Sequence, residues 1–307
     1  MWYKKRMNLN FCISGGRGFI GKIIRKELSK TEERILVLSR KLGTSTFFSN
    51  NEFRIFWDGK NLDPKLIEES DVFINLSGES IFGRLDKAKK EKILKSRIDS
   101  TNAIVNSILK AGKKPKFFFQ ASAVGIYKGG TELIDENSPL DNDFLADVVK
   151  RWENEVEPLK NLPINLYIMR FGVVLGKDGG IYKKLNKFFK LGLGAILGDG
   201  NYHIPWIYEK ELVRIFKFLI DNSKGGIYNF VSPNPISAKE FFKSWGKAFK
   251  KPVFLHIPFF LLSIFLGKES KNILGKDLKV LPKALFNLNY NFCYDNILNV
   301  FEELSEK

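Results

Sequence analysis

The feature that most restricts the fold is a glycine-rich octapeptide, Ser14-Gly15-Gly16-Arg17-Gly18-Phe19-Ile20-Gly21, set between an apolar run at Leu9 to Ile13 and a helix-period segment. Ile20, Ile23, Ile24 and Leu28 fall at i, i+3, i+4 and i+8, which places them on one apolar stripe of a helix. A strand, a glycine turn and an amphipathic helix in that order predict a βαβ unit opening on a dinucleotide-type loop. In such a loop Gly15 takes the tight turn, Gly18 lets the backbone approach a diphosphate, and Gly21 lets the helix pack close to the strand. The helix N-terminus then turns free amides and a positive dipole end toward the phosphates. Gly16, Arg17, Phe19 and Ile20 complete the expected cofactor-facing loop.

The rest of the chain agrees with that unit. Short β-rich runs recur at Ile35 to Leu38, Phe53 to Trp57, Val72 to Leu76, Phe117 to Ala121 and Leu166 to Met169, with helix-period segments between them. Several are apolar on consecutive positions, as strands buried on both faces of a parallel sheet require. The expected fold class is α/β, a Rossmann doubly wound parallel sheet, with ligands beyond the carboxyl ends of its strands. After about residue 235 the prolines Pro233, Pro235, Pro252 and Pro258 punctuate apolar helical stretches such as Phe259 to Leu266. The predicted division is a nucleotide domain over residues 8–235, with insertions near 175–215 that join the substrate lobe, and a smaller C-terminal α/β lobe over 236–307.

Composition narrows the class further. The chain has 307 residues, 44% hydrophobic and 27% charged, values ordinary for a soluble globular protein. Its longest apolar run, Ile257 to Leu266, falls far short of the roughly 20 residues that span a bilayer. The opening residues carry no secretory h-region, so a cytoplasmic protein with no membrane partner is expected. Cys12 and Cys293 stand in hydrophobic stretches with no partner at metal-ligand spacing, which predicts two buried thiols and no metal site. The net charge of +16 raises nucleic acid as a partner, but the lysines are scattered and accompany no recognition module. No nucleic-acid partner is expected.

The second strand runs Leu38-Ser39-Arg40 with no acid at its end. An acid there would accept from ribose hydroxyls, whereas an arginine accommodates a 2′-phosphate. Arg40, with Ser39 and Arg17, therefore points to NADP(H) over NAD. Asp58, after the third strand, either reaches the adenine edge or is a surface turn residue.

Beyond the glycine loop, the segments INLSGESI (Ile74 to Ile81), SRIDST (Ser96 to Thr101), SAVGIY (Ser122 to Tyr127), DFLADVVKRWE (Asp143 to Glu153) and MRFGVVLGKDGG (Met169 to Gly180) carry a resemblance. So do the LGDG to PWIY region, YNFVSPNPIS (Tyr228 to Ser237) and VLPKALFNLNYNF. The chain resembles the extended short-chain dehydrogenase/reductases, and among them the atypical epimerase family proteins with a DUF1731-type C-terminal segment. The resemblance covers nearly the whole chain. It implies an NAD(P)(H)-binding Rossmann domain, a substrate held between that domain and the C-terminal lobe, and pairing into a homodimer.

It also implies a catalytic serine at Ser122, and a following Tyr-x-x-x-Lys pair that this chain lacks. With Glu153 in register, Leu145 and Val149 occupy those two positions, and neither can move a proton. Lys150 is one residue along, about 100° around the helix. The candidates for the missing acid are Tyr127 and His203. Tyr127 either meets a substrate oxygen or packs beside the sheet, and His203 is either an acid/base near neutral pH or structural. His256 reads as packed. Leu76, Ser77, Gly78 and Glu79, after the fourth strand, are expected to face the cofactor, Glu79 alternatively serving as a helix-cap contact. Arg170 is expected beside the nicotinamide, or in a structural ion pair. Two readings stay open: an NADP(H)-dependent oxidoreductase or epimerase of an unknown small carbonyl or hydroxyl substrate, and a non-catalytic NADP(H)-binding sensor or regulator.

Overall fold

The computed structural model describes residues 9–40, 47–261 and 275–306. In chain order its principal elements are β1 (Phe11–Ser14), α1 (Phe19–Leu28), β2 (Ile35–Ser39), β3 (Glu52–Phe56), α2 (Pro64–Glu68), β4 (Val72–Asn75), α3 (Lys87–Lys110) and β5 (Phe117–Ala123). There follow β6 (Leu133–Ile134), α4 (Phe144–Asn154), β7 (Asn165–Phe171), β8 (Val173–Leu175), α5 (Gly180–Lys190), β9 (Ala195–Leu197) and β10 (Trp206–Tyr208). The chain continues through α6 (Glu209–Asn222), β11 (Gly226–Phe230), α7 (Ala238–Ala248), β12 (Leu255–Ile257) and β13 (Lys279–Val280). Two further helices, Lys283–Asn287 and Ile297–Ser305, close the described chain.

Seven strands form one parallel sheet in the order β11-β7-β5-β4-β1-β2-β3, the doubly wound arrangement expected. The sequence order reverses at β1, so the cleft above β1 and β4 is the topological switch point where such sheets bind ligands. β1, β2 and β4 are buried at every position. Their alternate residues feed two cores, Ile13, Ile35, Val37 and Ile74 on the α1 and α6 side and Cys12, Leu36, Leu38 and Phe73 on the α2 and α3 side. Six of these strands coincide with the β-rich runs of the sequence, and the seventh, β11, adds an edge beside β7.

The second lobe is discontinuous. Its core joins Leu175, Tyr182, Phe189, Ile196 and Trp206 to Phe241, Trp245, Val300 and Phe301, so residues before and after position 235 share one interior. Tyr182, Phe189, Phe241 and Phe301 surround the Trp245 ring at centroid distances of 4.2–6.3 Å. Leu285 and Tyr290, near the C-terminus, pack back into the main core. Among the described residues no helix is long and apolar enough to cross a membrane. Residues 262–266 of the apolar stretch lie outside the described residues. Cys12 is buried as expected, whereas Cys293 is exposed, since its segment packs through Tyr290 and Phe292 rather than through the thiol.

Candidate nucleotide cleft and its neighbouring polar network

The glycine loop is set by close backbone approaches. Gly15 has φ +68°, and a Cβ there would stand 2.4 Å from the Leu76 carbonyl oxygen, so loop and β4 end are in direct contact. A Cβ on Gly21 would stand 2.5 Å from Gly16 Cα, which is why the first turn of α1 can press onto the loop. Gly18 caps α1, with no side-chain cap bond and no acidic residue in the first turn. The helix end is therefore open to an anion, as a diphosphate requires.

A buried arginine fixes this loop from behind. Arg25 Nη1 donates to the Gly16 carbonyl at 2.9 Å, while its Nε and Nη2 donate to Glu52 at 3.1 and 2.5 Å. Arg25 and Glu52 were absent from the sequence reading, because nothing in their spacing pairs residues on α1 and β3.

The expected phosphate residues meet at the end of β2. Arg17 Nη1 lies 3.5 Å from Ser39 Oγ, and Arg40 follows exposed to solvent. Glu79 sits half-buried on the loop after β4, its carboxyl held below the ordinary range by a hydrogen bond from Lys89, against the opposing effect of burial, with the charges of Lys89 and then Arg40 adding. Asp58 is exposed and accepts from Lys60 N at 2.9 Å, the geometry of a turn residue.

The segment from Leu76 to Glu79 leaves β4 without regular secondary structure, beside a polar floor. Asn75 is fully buried; its Oδ1 accepts from Ser14 Oγ at 2.7 Å, and its Nδ2 donates to Thr101 and Gln120 at 2.8 and 2.9 Å. Arg97 Nη1 donates to the Glu79 carbonyl at 3.0 Å, and a Cβ on Gly78 would stand 3.1 Å from Arg97 Cζ. Burial lowers the Arg97 guanidinium to about 10. The SRIDST segment thus supports the loop from α3, a role that only the packing of α3 under Gly78 assigns.

Ser122 and Arg170 face each other across β5 and β7, and both meet Glu153 of α4. Ser122 Oγ donates to Glu153 Oε1 at 2.5 Å, and Arg170 Nε and Nη2 grip the two carboxylate oxygens at 2.8 Å each. Arg170 Nη1 donates to Tyr127 OH at 2.9 Å, and Tyr127 OH donates to Asn229 Oδ1 at 2.7 Å. Burial works to lower the Arg170 pKa, but the hydrogen bonds and charge of Glu153 outweigh it and hold the guanidinium charged. Burial pushes the Tyr127 phenol up to about 12, despite Arg170 beside it.

This network corrects two expectations. Tyr127 is fully buried with its donor and acceptor both engaged inside the protein, so the packing alternative describes it and a substrate contact does not. Arg170, 3% exposed, takes the ion-pair alternative instead of lining the cleft for the cofactor. Val149 packs with Val124, Ile126 and Val231, and Lys150 reaches out to Asn142 at 3.1 Å, so α4 brings no lysine ammonium to the end of β5. His203 joins none of these hydrogen bonds; its Nδ1 and its backbone N both meet Asp277 Oδ1 at 2.9 Å. His256, on β12, is exposed rather than packed.

Known proteins share this architecture. Residues 11–230 match the NAD dependent epimerase/dehydratase family. The chain is 32% identical over 295 residues to the epimerase family protein YfhF of Bacillus subtilis, covering 94% of this chain and 95% of that one. It is 30% identical over 302 residues to the epimerase family protein SAR0825 of Staphylococcus aureus, covering 97% and 99%. The crystal structure of the human epimerase family protein SDR39U1 with NADPH superposes with a TM-score of 0.86 at 27% identity, over 97% of this chain and 99% of that one. A UDP-glucuronic acid 4-epimerase from Bacillus cereus in complex with NAD shares the fold, with a TM-score of 0.76 at 16% identity over 96% and 94% of the two chains. With its glycine loop, sheet order and 220-residue match in agreement, the chain belongs to the NAD dependent epimerase/dehydratase family.

Proposed function

We propose that the chain binds NADP(H) and acts as an oxidoreductase or epimerase on a small carbonyl or hydroxyl substrate. The observation that carries the cofactor half is the meeting of Arg17 and Ser39 at the end of β2, with Arg40 next in sequence and no acid between them. That set fits a 2′-phosphate and holds no carboxylate of the kind that accepts from a ribose 2′-hydroxyl. The human relative carrying NADPH supports the same choice. The amides of Phe19 and Ile20, at the open end of α1, would hold the diphosphate, and Leu76 to Glu79 would line its far side. When bound, the nicotinamide supplies or accepts a hydride.

The chain's own contribution would centre on Ser122. Ser122 is itself only 4% exposed and its proton is directed to Glu153, so what it would offer a substrate hydroxyl at the end of β5 is a lone pair of Oγ. A proton leaving that hydroxyl can pass to Ser122 Oγ as the serine proton passes to Glu153, and the reverse transfer serves a carbonyl. Arg170 keeps the Glu153 carboxylate oriented throughout.

A specific feature favours the second reading, a binding or sensing protein. Leucine and valine occupy the Tyr-x-x-x-Lys positions, and the buried Tyr127 is held neutral. One set of measurements tests both readings. Arg40→Asp should weaken NADPH about tenfold or more, with NADH little changed; equal losses would remove the phosphate site. In a cofactor-oxidation screen against carbonyl compounds, Ser122→Ala should lower kcat by about a hundredfold; unchanged turnover would take Ser122 out of the chemistry, and no turnover of any compound would favour the sensor.

A further inference from the structure

The end of the second lobe where β9 and β12 begin carries a cluster of exposed apolar side chains. Phe188 is 53% exposed, Leu191 71%, Leu193 59%, Phe254 71% and Leu255 50%. The fold brings them together: β12 runs parallel to β9 with Leu255 opposite Ala195, and Leu193 N donates to the Phe188 carbonyl at 2.8 Å. Gly192, at φ +77°, turns the chain between the two leucines and lies against the Lys251 side chain, which a Cβ there would approach to 3.5 Å. Single exposed leucines are ordinary, but a contiguous patch marks a contact surface.

Charge around the patch is one-sided. Residues 179–198 and 241–261, which build it, contain eight lysines and no aspartate or glutamate, with Asp178, Asp199 and Glu240 immediately outside these limits. None of the eight forms an ion pair among the described residues, whereas Lys89, Lys210 and Lys276 elsewhere all meet carboxylates. Lys187, Lys190, Lys250 and Lys251 are exposed beside the apolar side chains.

These two properties select the occupant. A symmetric contact with a second copy would set lysines against lysines, in a chain that already carries +16. A single-stranded nucleic acid would use the charge and would find stacking faces on Phe188 and Phe254, but it would leave Leu191, Leu193 and Leu255 in water. The surface of an anionic bilayer uses both, since apolar side chains enter the acyl boundary while each nearby lysine gains from lipid phosphates. We infer that this face docks peripherally on an anionic membrane surface, with Phe188, Leu191, Leu193, Phe254 and Leu255 inserted and the flanking lysines against the headgroups.

Such docking needs no spanning segment, so it departs from the sequence expectation of no membrane partner, which weighed spanning length. It is also independent of the reaction proposed above. The eleven residues of α5 run from the cofactor cleft, where a Cβ on Gly179 would meet the Phe19 ring, to the patch. The docked face therefore lies about 16 Å from the cleft mouth.

Vesicle flotation of the full chain tests this inference. The chain should float with phosphatidylcholine vesicles that contain phosphatidylglycerol and stay behind with phosphatidylcholine alone. The pair Leu191→Ser and Leu193→Ser should weaken flotation about tenfold or more, and Lys190→Gln with Lys251→Gln should weaken it and flatten its salt dependence. All four positions are exposed, and unchanged melting and NADPH titration would certify the fold. Absent flotation, equal flotation on neutral vesicles, or full flotation of the leucine pair would overturn the inference. So would a lipid-free dimer that the leucine pair dissociates without wild-type flotation, or RNA oligonucleotide binding in its place.

Discussion

Single side chains divide between those that touch the cleft and those that only hold its walls. Arg17 and Ser39 meet at the end of β2 with Arg40 next in sequence, and the phosphate role proposed for them follows from residue type and position, because phosphate recognition needs guanidinium and hydroxyl groups. Tyr127 looked like a candidate acid because a phenol beside a strand end can serve as one, yet its hydroxyl joins Arg170 to Asn229 inside the protein. Removing that hydroxyl leaves two buried partners unsatisfied, at a cost of about 1–3 kcal/mol. Tyr127→Phe should therefore lower the denaturation midpoint while NADPH affinity stays within about twofold. A tyrosine that contacted substrate would instead show its loss in turnover at unchanged stability.

The elements owe their positions to pairs that sequence spacing does not announce. Residues 10–28 give a strand, a loop and a helix from local pattern alone, but the loop's carbonyl at Gly16 is held by Arg25 only because Glu52, on β3, reaches the same guanidinium. Both side chains are fully buried, so breaking the pair takes the carboxylate away from a guanidinium that is out of water, at a cost of about 3–5 kcal/mol. Glu52→Gln should lower thermal stability by that order, and saturating NADPH should recover part of it by holding the loop directly. Thermal melts with and without NADPH check this; a variant as stable as wild type would mean that the loop stands without β3. In the same way β5, β7 and α4 converge through Ser122, Arg170 and Glu153, whose sequence positions lie 17 to 48 residues apart.

At the scale of the whole molecule, burial raises the phenols of Tyr127, Tyr182, Tyr202, Tyr208 and Tyr290, so each is expected to weaken the fold as the pH climbs past 10. Tyr127 and Tyr182 are both raised by burial from 10.0 to about 12. Their folded-state values exceed their unfolded ones, so the folded chain keeps protons that the unfolded chain releases. Their contribution is intact below about pH 10 and is lost as the pH rises from 10 to 12, by about 2–3 kcal/mol for each tyrosine. Denaturation midpoints across that window should fall less steeply for the double variant Tyr127→Phe with Tyr182→Phe than for the wild type; parallel slopes would rule out these phenols as the cause. The sequence by itself determined the βαβ opening, the parallel sheet of six of its seven strands, the glycine loop and the cationic end of β2. Each of these is a local pattern, in which neighbouring residues share one strand, one turn or one helix face. Only the tertiary structure decided that Tyr127 and Arg170 turn inward, and that apolar and basic side chains from α5 and from the segments leading into β9 and β12 form one surface. Those outcomes depend on which distant side chains meet, and burial, ion pairing and surface patches exist only once the chain has closed on itself.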